Sequence, residues 1–374
     1  MNICLFTSTF LPKTGGLENV VDILARSYIA AGHKVVVLAK TPKGMKTPPE
    51  FDYPVYYYKR SRSEVWFLGS PRKFLKKLHE QYHFDVIHAH QLYPTGWLAV
   101  RFAAKYGIHA VLTSHVGDIH DGSRYRKNPF IMRRIMEAMR NAGAVTGVGS
   151  GICRTIDGLL GTEKAMLIEN GCVKPAAAEP SAHLRESLEK LGLASGFDLT
   201  VCRLHPNKGL NFLVDACALM KGRGIRFPHI IMAGAGQAEE SLRSQIESLG
   251  LSDRIHLIGN VVPSDRDYLL QHCRFFVQPS LVEGMPLTVL ESLSAGVPVI
   301  ATAIPGVVEI IRDGWNGRLA APGSAESIAD IYAELNDEKR NEYALHAAEI
   351  LKTHSWERIA GLYIAVFEKL ILKG

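Results

Sequence analysis

The sequence predicts an α/β protein built from two doubly wound parallel-sheet domains, and three observations carry that prediction. Short apolar, β-branched runs alternate with helical patterns along the whole chain. The alternation restarts after a loop at 173–180 that holds Pro175, three alanines and Pro180. At 374 residues the chain is also too long for one ordinary core and right for two. In the first half the expected strands are 2–8, 34–39, 54–58, 85–88, 109–114, 144–148 and 166–169, with helices such as 17–32 and 97–106. In the second they are 198–202, 228–233, 255–258, 275–278 and 298–301, then a short 317–320, with helices such as 209–221 and 238–249. Apolar strands without alternation belong to parallel sheets covered on both faces. The domain boundary is expected at 174/175, and the cleft between two such domains is the default binding site.

Composition narrows the class. Hydrophobic residues make up 47% and charged residues 21%, the mix of a soluble globular protein. No apolar run approaches the roughly 18 residues that span a bilayer. Met1-Asn2-Ile3-Cys4-Leu5-Phe6 reads as a first strand and not a signal peptide, so a cytoplasmic location is expected. The six cysteines are scattered without a C-x-x-C pair, which argues for reduced thiols and against a disulfide framework or a zinc knuckle. The net charge of +6 is uneven: residues 1–175 carry 24 Lys+Arg against 13 Asp+Glu, and the remainder carries 19 against 24. A basic first half suits an anionic partner: a membrane surface, a phosphorylated substrate or nucleic acid. RNP-like aromatic runs and other nucleic-acid motifs are missing, so nucleic acid is not expected.

Glycine pairs after strands raise the question of a dinucleotide site. Gly147-Val148-Gly149-Ser150-Gly151 and Gly234-Ala235-Gly236 both follow strands, yet neither completes G-x-G-x-x-G with an acidic residue about 20 positions on. There is no Walker A loop either.

Three segments carry the chemistry. In the first, strand 275–278 runs into Pro279-Ser280-Leu281-Val282-Glu283-Gly284-Met285-Pro286-Leu287. Pro286 is expected at the first helical position, with the helix reaching about Ala295 and stopping at Gly296. The amides near Gly284, Met285, Pro286 and Leu287 would then lack intrahelical partners and offer a phosphate site. Glu283 and Glu291 frame this start. On one continuous helix they would stand about 12 Å apart, beyond the roughly 5–9.5 Å of a glycosidase pair. They read either as acceptors for two parts of one ligand or as solvent-facing glutamates. In the second segment, strand 198–202 ends in Arg203-Leu204-His205-Pro206-Asn207-Lys208-Gly209, whose guanidinium fork and ammonium suit a diphosphate. The third, Lys13-Thr14-Gly15-Gly16-Leu17-Glu18, follows the first strand and opens a helix, again presenting glycine amides.

Histidines gather in the first half, at His88-Ala89-His90 and His115-Val116-Gly117-Asp118. H-x-H on a strand puts both rings on one face, which fits a metal, a substrate site or plain structure.

Together these segments resemble glycosyltransferase family four, the retaining GT-B enzymes, over nearly the whole chain. Glu283 and Glu291 match its E-x7-E motif, followed by Gly-Val-Pro-Val-Ile-Ala-Thr at 296–302, Gly306-Val-Val-Glu309 and Asp313-Gly314. Lys13 to Glu18 resembles its G-G-x-E loop, and His115 to Asp118 its H-G-x-D region with Val116 where glycine is common. Asn170-Gly171 resembles the N-G-V-D signature, with Cys172-Val173 replacing the last two residues. Arg203 and Lys208-Gly209 resemble R-L-x4-K-G, with Cys202 where glycine is usual.

The resemblance implies a GT-B fold of two Rossmann-like domains facing across a cleft: an acceptor-binding domain 1–174 and a donor-binding domain 175–354. A final helix from Ser355-Trp356-Glu357, with Ile359, Leu362, Tyr363, Val366, Phe367 and Leu370 at helical spacing, is expected to cross back to the first domain. It implies that Arg203 and Lys208 hold the diphosphate, Glu283 the donor sugar and Glu291 the ribose, with His115 near the sugar. Catalytic roles fall to His115, Glu283, Arg203 and Lys208. Gly15, Gly16, Gly234, Gly284, Met285, Pro286 and Leu287 join the donor site, and Asp118, His88 and His90 the acceptor side. The implied activity is retaining transfer of a hexose or N-acetylhexosamine from a nucleotide-sugar, with UDP favoured. The acceptor would be a lipid-linked or saccharide hydroxyl in glycolipid, lipopolysaccharide, capsule or exopolysaccharide assembly. No metal and no cofactor are expected. A nucleotide-sugar epimerase on the same fold and a non-catalytic binder of anionic ligands are the alternatives.

Two cationic stretches suggest attachment to the inner face of the plasma membrane. Lys59 to Lys77 holds seven cations against Glu64, with Val65-Trp66-Phe67-Leu68, Phe74, Leu75 and Leu78 among them. Arg124 to Arg140 holds six against Glu137, with Phe130, Ile131, Ile135, Met136 and Met139. Such spacing describes an interfacial helix, or equally a solvated cationic face over inward-packed apolar residues.

Overall fold

A computed structural model describes residues 1–13, 15–59, 69–120, 122–123 and 125–373. The chain divides into two compact units, Met1–Gly171 with Trp356–Gly374, and Cys172–Ser355. The first division falls three residues before the expected 174/175.

Among its described residues the first unit holds seven parallel strands: β1 (Asn2–Thr7), β2 (Lys34–Lys40), β3 (Val55–Tyr58), β4 (Val86–His90), β5 (His109–Ser114), β6 (Ala144–Gly147) and β7 (Ala165–Leu167). Their spatial order is β3-β2-β1-β4-β5-β6-β7. The second unit holds six: β8 (Asp198–Val201), β9 (Ile230–Ala233), β10 (Ile255–Gly259), β11 (Phe276–Gln278), β12 (Val299–Thr302) and β13 (Gly317–Ala320), in the order β10-β9-β8-β11-β12-β13. Each expected strand is present. In both sheets the chain starts in the middle, winds to one edge, and returns to wind the other way. The reversal lies between β1 and β4 in one sheet and between β8 and β11 in the other. Loops at the carboxyl ends of strands flanking such a reversal diverge and leave a crevice, which is where open α/β sheets bind ligands.

The central strands are buried throughout: Ile3, Cys4, Leu5 and Phe6 on β1, and Ile230, Ile231, Met232 and Ala233 on β9, are fully inaccessible. Burial on both faces is why they read as continuous apolar runs. The last helix, Trp356–Ile371, belongs to the first unit because its Ile359, Tyr363, Val366 and Phe367 are buried there. Phe367 meets Tyr28 edge-on at 5.7 Å between ring centres. Leu362, expected on the same apolar face, is 42% exposed. Trp356 also explains Gly171: a Cβ there would lie 2.6 Å from the indole. Beside it, the amide of Cys172 donates to the His354 carbonyl at 2.6 Å, so the segments on which the chain enters and leaves the second unit pair with each other. No helix of the described residues is long and apolar enough to cross a membrane.

Candidate functional site

In the second unit the site grows from the ends of β8 and β11, neighbours at the sheet reversal. After β8 the chain makes a single tight turn, Pro206–Lys208, in which the ring of His205 accepts from the Asn207 amide at 3.2 Å. After β11 the loop 279–286 is tied to that turn by the Leu281 amide donating to the Asn207 carbonyl at 2.8 Å. The Thr302 hydroxyl at the end of β12 donates to the Ser280 carbonyl.

Lys208 and Glu283, 75 residues apart in sequence, meet here with Nζ 2.6 Å from Oε1. The same carboxylate oxygen accepts from Gln278 Nε2 at 2.7 Å and from Ser280 Oγ at 2.7 Å. Three donors on Oε1 fix the side chain and leave Oε2 for a ligand. Arg203 stands exposed on the same loop with no hydrogen bond or ion pair among the described residues. The local field is positive: besides burial, Arg203 and Lys208 both push His205 below its ordinary value. Cys202, beside them, stays a neutral thiol because burial pushes it up to about 11.

Two glycines let neighbouring strand-end segments, after β9 and after β12, pack closely against these loops. Gly234 has φ +136°, and a Cβ there would lie 1.9 Å from the Cys202 carbonyl oxygen. Gly306 has φ +86°, and its Cβ would lie 1.9 Å from the Gly284 carbonyl oxygen. Gly234 therefore acts here as a contact between strand-end loops, and the family-like Gly306 serves as the floor under Gly284.

The helix after this loop is Leu287–Ser294, one residue later than expected. Pro286 is its extended N-cap and not its first residue. Its carbonyl accepts from the amides of Val289 at 3.2 Å and Leu290 at 3.3 Å, so the amides of Leu287 and Thr288 come before the first helical bonds. Met285 and Gly284 are buried at the base of the turn. Glu283 thus sits in the loop and Glu291 in the helix, and the 12 Å spacing of a continuous helix does not apply. Glu291 Oε1 lies 3.2 Å from Arg266 Nη1, whose guanidinium also holds Asp267 at 2.8 Å. Glu291 Oε2 is buried with no partner. Burial pushes this carboxyl up, and Arg266 opposes that shift. Arg266 had no signal in the sequence, since it lies in a helix of ordinary composition, 25 residues from its partner.

In the first unit, the loop after β1 ends at Gly15, and helix Gly16–Ala30 follows. Its N-terminus faces its own Glu18, buried and 2.9 Å from Lys13 Nζ; Thr9 also donates to it. A Cβ on Gly15 would lie 2.5 Å from Glu18 Oε2, so a side chain there would have to displace this carboxylate.

The histidines form one stack. His88 is fully buried, 3.2 Å from the Tyr28 hydroxyl through Nδ1 and 2.7 Å from Thr113 Oγ1 through Nε2. The His90 ring lies 4.4 Å from that of His88, and its Nδ1 is 3.1 Å from His115 Nε2. Asp118 is also fully buried and accepts from the Leu92 amide at 2.9 Å. The sequence reading set His88, His90 and Asp118 against an acceptor. In the structure all three are enclosed under the final helix or the loop after β4, and half-buried His115 is the most accessible member of the group. No cluster of metal-ligating side chains occurs among the described residues.

Residues 14–172 match the model of Glycosyltransferase Family 4, and residues 195–353 match that of Glycosyl transferases group 1. The chain belongs to the family-four type of glycosyltransferases. An uncharacterized glycosyltransferase of Methanocaldococcus jannaschii is 27% identical over 98% of each chain. The alpha-monoglucosyldiacylglycerol synthase of Streptococcus pneumoniae is 26% identical over 85% of this chain and 75% of its own. Among solved structures, Anabaena HepE in complex with UDP and glucose superposes with a TM-score of 0.79 at 21% identity, over 99% of this chain and 100% of that one. The fold of this glycosyltransferase is GT-B.

The cationic stretches of the glycosyltransferase differ from an interfacial helix. In helix Gly69–Tyr82, Leu75 and Leu78 are buried while Arg72, Lys73, Lys76 and Lys77 are exposed. In helix Pro129–Asn141, Ile131, Ile135 and Met139 are buried while Arg133 and Arg140 are exposed. The apolar stripes feed the core, and Phe130, 69% exposed, is the exception on its helix. Arg60, Arg62, Glu64, Val65 to Leu68 and Arg124 lie outside the described residues. Between these helices the Trp97 indole gathers the guanidinium groups of Arg72, Arg101 and Arg134 at 5.5, 5.2 and 4.5 Å.

Burial holds His88 down to about 3 and His115 to about 4, and pushes His90 well below its ordinary value. These groups are depressed on folding, so the unfolded chain binds more protons below about pH 6.5 and stability falls on acidification toward pH 4. Asp118, raised to about 7, and Asp198, raised to about 6, act in the opposite sense and lose stability as pH rises toward those values. Each depressed histidine costs about 1.4 kcal/mol per pH unit in its window, and three of them outweigh two carboxyls. Calorimetry is expected to give a lower Tm at pH 5 than at pH 7; a higher Tm at pH 5 contradicts this balance.

Proposed function

We propose that this glycosyltransferase moves a hexose or N-acetylhexosamine from a UDP-sugar to a hydroxyl acceptor with retention of configuration. The process it serves is glycolipid, lipopolysaccharide, capsule or exopolysaccharide assembly. One observation carries the reading: Lys208 and the unpartnered Arg203 share the loop after β8, and Lys208 reaches Glu283 in the loop after β11 that leads into helix Leu287–Ser294. Two cations and a helix N-terminus make a cradle for a diphosphate. Glu291 Oε2, buried without a partner, is an acceptor suited to a ribose hydroxyl. Glu283 Oε2 plays the same part toward a hydroxyl of the donor sugar. The S. pneumoniae relative is named for a glycolipid product, and the same fold holds UDP and glucose in HepE.

In this mechanism the acceptor oxygen attacks the anomeric carbon on the face from which the diphosphate leaves. The bond from the anomeric carbon to the diphosphate oxygen breaks with its electron pair on that oxygen. A bond from the acceptor oxygen to the anomeric carbon forms, and the departing diphosphate takes the acceptor proton. Arg203, Lys208 and the helix amides stabilise the developing charge, so the reading assigns no metal. Arg203→Ala and Lys208→Ala are each expected to lower turnover about a hundredfold, roughly 3 kcal/mol of lost transition-state stabilisation. Near-normal turnover in both variants contradicts the diphosphate assignment. Release of free UDP only when an acceptor is added separates transfer from epimerisation.

The exposed cations of helices Gly69–Tyr82 and Pro129–Asn141 favour a lipid-linked acceptor at an anionic membrane surface, held by charge and not by an inserted apolar face. Sedimentation with anionic but not neutral vesicles is expected at low salt, lost at high salt and weakened by Lys73→Glu with Lys77→Glu. A protein that stays in the supernatant with anionic vesicles at low salt points to a soluble acceptor.

A further inference from the structure

The arrangement of His90 and His115 fixes which nitrogen of His115 faces substrate. His90 on β4 is fully buried. Its Nδ1 is 3.1 Å from His115 Nε2 across stacked rings 5.4 Å apart, and its Nε2 has no partner. Both rings are neutral, because burial disfavours the imidazolium, so one proton is shared between the two facing nitrogens. If His115 Nε2 carried it, neutral His90 would have to keep its own proton on Nε2. That would bury an N–H with nothing to accept it, the arrangement that folded proteins avoid most consistently. If His90 Nδ1 carries it, His90 Nε2 is a bare lone pair and no donor is orphaned. His88 cannot relieve the first case, since its own nitrogens face Tyr28 and Thr113.

We infer that His90 is a positioning residue that donates from Nδ1 to His115 Nε2 and so locks His115 in the tautomer with its proton on Nδ1. The accessible nitrogen of His115 is then a hydrogen-bond donor. It suits a sugar-hydroxyl oxygen of the substrate and is no base for the acceptor proton, which leaves that proton to the departing diphosphate. This consequence rests on the transferase reading above; the tautomer itself does not.

The test is long-range proton–nitrogen correlation NMR on the full chain labelled with 15N-histidine at pH 7, with the His115 signals identified by their loss in His115→Asn. The wild type is expected to show His115 protonated on Nδ1 and bare on Nε2. In His90→Phe no donor faces His115 Nε2, and its nitrogen resonance is expected to move downfield, to that of a lone pair that accepts no hydrogen bond. Turnover should fall about tenfold, the worth of one hydrogen bond whose donor ring is no longer anchored, with UDP affinity unchanged. A wild-type His115 protonated on Nε2 overturns the proposal, as does a folded His90→Phe whose His115 Nε2 resonance is unaltered. The wild-type spectrum alone decides the point if that variant does not fold. It does so whatever the activity assays say, which keeps a failure of the tautomer distinct from a failure of the proposed reaction.

Discussion

A single carboxylate oxygen, Glu283 Oε1, holds the second unit's site in shape. It receives the ammonium of Lys208 from the loop after β8, the amide of Gln278 from the end of β11, and the hydroxyl of Ser280 from its own loop. Hydrogen bonds to a charged group contribute about 1.5–3 kcal/mol each, and they are worth most where water is scarce. Glu283 is 10% exposed in its side chain and Lys208 24%, so the pair is shielded without being sealed. Loss of Lys208 would leave a largely buried carboxylate with two neutral donors, a larger penalty than the pair's own attraction. The same ammonium is therefore both a brace for the loop and a charge for the ligand.

That brace works only because backbones can approach closely around it. The positions at 234 and 306 have no room for a Cβ against the carbonyls of Cys202 and Gly284, and both have positive φ. The site is assembled mostly from backbone carbonyls and amides at strand ends, with a few charged side chains set into it. This is how a parallel sheet makes polar function out of an apolar core.

Much of this was legible in the sequence because it is local. Nearly every strand of the described residues announces itself as an apolar run, and the segments Arg203 to Gly209 and Glu283 to Glu291 show charge and glycine at strand ends. What was not legible is long-range. Arg266 meets Glu291 across 25 residues with no motif to mark it. The H-x-H of β4 gives the face of the strand, but not that Tyr363 and Phe367 from the far end of the chain close over His88 at ring distances of 4.6 and 5.4 Å. Helices Gly69–Tyr82 and Pro129–Asn141 have the periodicity of an interfacial helix and of a core-facing one alike, and burial alone decides between them. The N-cap role of Pro286 escaped for a smaller reason: proline suits both the first helical position and the extended residue before it.

The account stands on a diphosphate cradle at the ends of β8 and β11. The most direct measurement is calorimetric titration of the wild-type protein with UDP and with UMP, which differ by the one phosphate the cradle is read to hold. UDP is expected to bind about a hundredfold more tightly, roughly 2.8 kcal/mol, with the gap narrowing sharply in Arg203→Ala. Equal affinity for UDP and UMP would contradict the assignment of Arg203, Lys208 and the helix amides to a diphosphate.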